Sequence, residues 1–215
     1  MMALLLHEVK YYFKNKSELI YLYNYFISII VLAPFTQNAN SPAIQSLAGF
    51  ILWIALASTV TLGSYSLFKR DFETGRLEYY QLLPYSLEAV VLVKWLGFLM
   101  FLWVPLLGAL PIAALLFDMS AAQCLQYAIG LGLGSVALSM LASLVAAITN
   151  GLGKAGAILS LVMLPLAIPV LIVGAEYCRD NTALWQPHLL FLLGMAGFLL
   201  PVMCLVGAHS IRASH

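Results

Sequence analysis

Side chains able to do chemistry are sparse in this sequence, and their spacing excludes more than it permits. His7, His188, His209 and His215 are scattered, and no H-E-x-x-H or paired-carboxylate arrangement offers metal ligands or a general acid and base. The nearest fragment to a nucleotide-binding loop, Gly151-Leu152-Gly153-Lys154-Ala155, lacks the G-x-x-x-x-G-K-[ST] spacing, the hydroxyl and a preceding strand. ATP hydrolysis by this chain alone is therefore not expected, and neither is a catalytic site, a bound metal or cofactor, or a nucleic-acid partner. Cys124, Cys178 and Cys204 form no C-x-x-C and read as small buried residues, a Cys124–Cys178 disulfide being the alternative in an oxidising compartment. His188 reads as a solvated interfacial histidine.

One polar segment is richer. From Phe68 to Ser86 the charges alternate in sign through Lys69, Arg70, Asp71, Glu73, Arg76 and Glu78, while Leu77, Tyr80 and Leu83 recur at helical spacing after Gly75. That spacing predicts a short helix ending before Pro84. A solvated loop needs no apolar teeth, so the segment reads as a docking surface for a cytoplasmic partner.

The elements that carry this segment follow from composition. The chain is 63% hydrophobic and 9% charged, against about 25% charged in soluble domains. Its 215 residues read as a single domain, an all-α integral membrane protein. Six uncharged or nearly uncharged runs are long enough to cross a bilayer: 19–35, 47–68, 89–117, 121–149, 155–175 and 189–208. Lys94 is the only charge inside them and is expected to snorkel outward from its helix. With these spans, nine of the ten Lys and Arg residues fall on one face, which the positive-inside rule makes cytoplasmic, and both termini lie there. That face carries a net +3 and the opposite face −2. Residues 1–18 read as an amphipathic helix in the headgroup layer, with Leu5, Val9, Tyr12 and Phe13 on its apolar face and Glu8, Lys14 and Asn15 opposite.

Ionisable residues are nearly absent from the spans, which argues against an ion-coupled transporter or proton pump. Packing signals are abundant instead. Gly130, Gly134, Ser135, Ser139, Ser143 and Ala147 give the fourth span smooth stripes for close helix approach. Pro165 and Pro169, one turn apart, predict a kinked or broken fifth span.

The run from Arg70-Asp71 through Gly75-Arg76-Leu77-Glu78, Leu82-Leu83-Pro84 and Val93-Lys94 resembles the loop after the second span in the haem exporter protein B (CcmB) family. The run Leu164-Pro165-Leu166-Ala167-Ile168-Pro169-Val170-Leu171-Ile172 resembles that family's fifth span. The resemblance extends along the whole chain, and the R-x(4)-G-x-L-E pattern is shared more loosely by other ABC-2 permeases. It implies a type II exporter-like permease subunit of cytochrome c maturation, in the bacterial inner membrane or, as the alternative, the mitochondrial one. It implies partners as well: a CcmA-like cytoplasmic ATPase that hydrolyses ATP, CcmC-like and CcmD-like membrane proteins, and a CcmE-like haem chaperone. Carried onto this sequence, the ATPase-coupling interface over loop 69–88 comprises Arg70, Asp71, Glu73, Gly75, Arg76, Leu77 and Glu78. Haem is implied as a handled substrate, although no paired His or Cys-Pro motif marks a haem site here. Release of haem-loaded chaperone, driven through the coupling segment, fits these residues better than haem passage. An ABC-2 permease for a drug, lipid or glycan is the nearest alternative; a passive scaffold is another.

The charge asymmetry makes a topological prediction. Cysteines placed at Asn40 and Asn181 should react with an impermeant thiol reagent added outside, and one at Asn150 should not. Outside labelling of Asn150 alone would invert the orientation.

Overall fold

The computed structural model describes residues 2–14, 16–36, 42–75, 85–149, 155–179 and 187–213. Among them the secondary structure is entirely α-helical: α1 (Met2–Lys14), α2 (Lys16–Thr36), α3 (Pro42–Ser64), α4 (Ser66–Glu73), α5 (Leu87–Leu116), α6 (Ala121–Thr149), α7 (Ala155–Arg179) and α8 (Pro187–Ala213). Hydrocarbon offers no partner to a free backbone N–H or C=O, so a helix, which pairs them internally, is the form these apolar runs adopt.

Five helical segments are long and apolar enough to cross a membrane: Leu47–Lys69, Leu87–Leu116, Ala121–Thr149, Gly156–Arg179 and Pro187–Arg212. With Leu161, Leu164 and Phe198 among the large apolar side chains facing outward, they make the chain a multi-pass membrane protein. The run predicted as the first span lies within α2, a helix of 21 residues that is not one of the five. The predicted second span, 47–68, falls within Leu47–Lys69, with one turn residue, Tyr65, between α3 and α4. Pro165 and Pro169 sit inside α7 without interrupting its helical assignment.

Local chemistry sets the helix ends. Ser86 caps α5, its Oγ accepting from the Ala89 N–H at 3.3 Å. At the other end the Met119 N–H reaches the Ala114 carbonyl at 3.0 Å while Asp118 takes a left-handed φ of 49°, a Schellman-type stop with Asp in the place glycine usually holds. α6 then opens on a reciprocal capping box. The Ser120 N–H donates to Gln123 Oε1 at 2.9 Å, and the Gln123 N–H to Ser120 Oγ at 3.3 Å.

α6 is the centre of the bundle, packed against α3, α5, α7 and α8. Its small residues accept large aromatics from its neighbours. Trp53 of α3 is fully buried in a slot between Gly134 of α6 and Gly174 of α7, where a Cβ added at either glycine would stand 2.1 Å from an indole carbon. The Trp53 Nε1–H points at Cys178 Sγ, 3.5 Å away. One turn from Gly134, Gly130 faces the ring of Tyr177, whose carbonyl accepts from Gln126 Nε2 at 2.7 Å. The serines of the stripe are polar partners as well as small residues. Ser139 Oγ accepts from Trp95 Nε1 at 2.9 Å and Ser135 Oγ from Trp103 Nε1 at 3.0 Å, stitching α5 to α6. Cys124, Cys178 and Cys204 are free thiols.

The Trp53 slot predicts a sharp positional contrast. Gly134→Ala or Gly174→Ala forces the indole out of its slot, and overpacking of this kind destabilises by about 1–3 kcal/mol. Gly194→Ala, where an added Cβ meets nothing within 4 Å, should be neutral or slightly stabilising. Thermal unfolding of the detergent-purified variants checks both; equal midpoints for Gly134→Ala and Gly194→Ala would remove the slot from the account.

Candidate functional site

The buried charges of the bundle gather at one end, around α4. Within this eight-residue helix Leu67, Phe68 and Asp71 are buried, at i, i+1 and i+4, so one face turns into the bundle. Its first residue is held from two sides: Ser66 Oγ is hydrogen-bonded to Glu18 of α2 and lies 3.0 Å from the Gly63 carbonyl. Outside this buried face, Lys69 Nζ stands 4.5 Å above the Tyr65 ring, a cation–π contact across the turn that precedes α4.

Lys94 departs from the sequence expectation. It does not snorkel; it is 2% exposed, ion-paired with Asp71 of α4 and 3.5 Å from Glu8 Oε1 of α1. Its Nζ also lies 5.9 Å from the centre of the Phe68 ring. Two nearby carboxylates make burial preferable to reaching for the headgroups, because they replace the water that a lone ammonium would require. Glu8 likewise leaves the polar face assigned to it. The face of α1 turned to the protein holds Glu8 and Tyr12, and both flank Gly97, whose missing side chain leaves room for them. The Tyr12 and Phe101 rings, 5.2 Å apart, extend the same contact along α5. At this end of the bundle Arg212 of α8 also meets Glu88 of α5 at 3.4 Å, in a more exposed pair.

The residues singled out from the sequence fall into separate groups. Asp71 faces inward onto Lys94. Arg70 and Glu73 belong to α4. Gly75 ends that helix with a left-handed φ of 67° and open space around the position of a Cβ, so conformation rather than close approach explains the glycine. Arg76, Leu77 and Glu78, together with Tyr80 and Leu83, lie outside the described residues. Pro165 and Pro169 are exposed on α7, away from this cluster. His188 stands in the first turn of α8 and is partly buried. Among the described residues no three His, Cys, Asp or Glu side chains converge to hold a metal ion. The cluster consists of buried opposite charges that join three separate helices.

Sequence reasoning missed Glu8 and Lys94 as partners because their meeting needs three helices to pack. Only the isolated Lys94 within an apolar run was a signal, and it required a buried acid to complete it.

A left-handed Gly75 with free space predicts graded substitution. A β-branched side chain in this conformation costs about 1–2 kcal/mol, and Asn costs less because its short polar side chain tolerates it. Gly75→Val should lower the thermal midpoint of the purified chain and Gly75→Asn should sit between it and the parent; the reverse order would place the cause elsewhere.

Comparison with known proteins adds a second line. Residues 1–214 match the family described as CcmB protein. Heme exporter protein B of Pseudomonas aeruginosa is 35% identical over 172 residues, which cover 80% of this chain and 77% of that protein. The protein of that name from Rhodobacter capsulatus is 33% identical over 193 residues, 88% of each chain. That from Escherichia coli K12 is 33% identical over 180 residues, covering 84% and 81%. A match along nearly the whole length, on an all-helical membrane bundle, makes this chain a member of the CcmB family.

Proposed function

We propose that this chain is the membrane subunit of an ABC-type haem exporter system for cytochrome c maturation, in the bacterial inner membrane, coupling ATP hydrolysis by a CcmA-like partner to haem handling. The observation that carries this reading is the full-length similarity to proteins named heme exporter protein B. The same names disfavour a permease for a drug, lipid or glycan.

In this reading α2 is a sixth span, preceding the five. At about 1.5 Å per residue its 21 residues reach across the hydrocarbon core, with Lys16 and Glu18 at the headgroup level. The concentration of Lys and Arg on one side puts both termini, α4 and the segment beyond Gly75 in the cytoplasm. Arg76, Leu77 and Glu78 then form the contact with the ATPase, Leu77 in an apolar pocket and the two charges in paired contacts. Arg70 and Glu73 flank that contact. Asp71 anchors its root to the bundle, and Gly75 sets the angle at which the segment leaves α4. Pro165 and Pro169 remove two backbone donors from α7 and give it a place to bend.

The mechanism is a pull rather than a channel. ATP binding in the partner displaces the coupling segment, the helices anchored to it move, and the outer face releases haem-loaded CcmE-like chaperone from a CcmC-like neighbour, with a CcmD-like protein beside it. Among the described residues, hydrogen bonds between distant parts of the chain join tryptophan, glutamine, serine and backbone groups. Such contacts suit helices that move as packed bodies.

Reversing the charge at Glu78 tests the docking role. Glu78→Lys exchanges an attractive contact for a repulsive one, costing several kcal/mol, on the order of a hundredfold or more in affinity. The variant should insert at normal abundance while the ATPase subunit no longer co-purifies and cytochrome c maturation stops. Glu88→Gln, which loosens an exposed pair with Arg212, should be mild. Retained ATPase binding and normal cytochromes in Glu78→Lys would sink the docking role.

A further inference from the structure

Lys94 joins α4 to two helices that its backbone meets little. α4 lies against α3 and α6, whereas α1 lies against α5 and, to a lesser extent, α2. The Lys94 ammonium crosses between these two pairs, bonding Asp71 of α4 and Glu8 of α1 from its own place on α5. All three charged side chains are more than nine-tenths buried. Replacement of such a group by packed apolar residues is often no less stable, so a buried charge cluster is a weak stability device. Its distinctive property is mechanical. Apolar contacts are non-directional and let helices slide, but separating a buried ion pair leaves an uncompensated charge away from water, and the penalty rises steeply with small displacements. Gly97 and the Tyr12–Phe101 contact hold α1 against the same stretch of α5, so Glu8 is fixed in register with Lys94. Leu67 and Phe68 do the same for Asp71, since both are buried in the bundle one turn before it.

We infer that Lys94 is a positioning residue of energy coupling: through Asp71 and Glu8 it locks α1, α4 and α5 into one rigid unit that moves together when the coupling segment is displaced. The inference rests on the reading of residues beyond Gly75 as the ATPase contact. It assigns to α1 a part in the transmitted motion, and to Asp71 the role of a root that carries force inward rather than a contact with the partner. The motion delivered at α4 reaches α5, a helix of 30 residues that runs the length of the bundle.

The test measures rigidity directly. Spin labels are placed at Lys14 on α1 and Thr74 at the end of α4, both exposed, in a background lacking Cys124 and Cys204. Their separation is recorded in the chain alone and in its complex with the ATPase subunit, without nucleotide and with a non-hydrolysable ATP analogue. The parent should give one narrow distance distribution that is the same in every state. Lys94→Met should broaden it and make it nucleotide-dependent. The ATPase subunit should still co-purify with this variant, yet cytochrome c maturation should fall about tenfold or more, because the ammonium that joins the two buried acids is gone. Where Lys94→Met does not accumulate, Glu8→Gln leaves a balanced Lys94–Asp71 pair and should release α1 alone, broadening the same distribution. A parent distance that shifts with nucleotide overturns the inference. A narrow distribution in the substituted chain, whether Lys94→Met or Glu8→Gln, also overturns it. Failure of the docking reading looks different, since the ATPase subunit would then not depend on Glu78 while the rigidity measured in the chain alone would persist.

Discussion

A peptide group in hydrocarbon has no water to bond, and that constraint governs the rest of this protein. Each span must close its own hydrogen bonds, and the long apolar runs among the described residues are accordingly helical. The connection between α5 and α6 shows how tightly a break between helices is managed: four residues carry a Schellman-type stop, a left-handed Asp118 and a reciprocal Ser120–Gln123 box. With the backbone satisfied inside each helix, the hydrophobic effect no longer chooses between neighbours, because lipid tails are as apolar as leucine.

Shape and a few polar contacts therefore make that choice. α6 supplies the small residues, and α3, α5 and α7 supply the large ones. Trp53 fills the gap left by Gly134 and Gly174 at once, so a single indole determines how three helices meet. Trp95 and Trp103 find serine acceptors about two turns apart on α5 and one turn apart on α6, which fixes the register between those helices. Ser143 continues the stripe, and its buried Oγ has no hydrogen-bond partner among the described residues.

At the charged end the logic is electrostatic. An ammonium within an apolar run is tolerable only with its counter-charges beside it, and here they arrive from two other helices. The same contact that makes Lys94 tolerable joins the root of the polar segment to the body of the bundle. A buried ion cluster of this kind resists partial separation, so the helices it joins are held in register.

Most of the architecture was already present in the amino-acid order. Uncharged runs marked the five long apolar helices; the run 121–149 coincides with α6, whose start is set by the Ser120–Gln123 box. The glycine and serine spacings marked close packing along α6, where Gly130 and Gly134 meet Tyr177 and Trp53. The turn at Tyr65 was not legible, since apolar residues continue on both sides of it and hydropathy alone does not register a bend. Likewise Glu8 was placed on a polar face because a helical wheel sees one helix, while its burial depends on Lys94, which is 86 positions away in the chain. Which serine receives which tryptophan, where one indole fits between two glycines, and which acids neutralise the lysine were decided only by the tertiary structure. Each of these is a meeting of side chains from different helices, and local periodicity carries no information about such meetings.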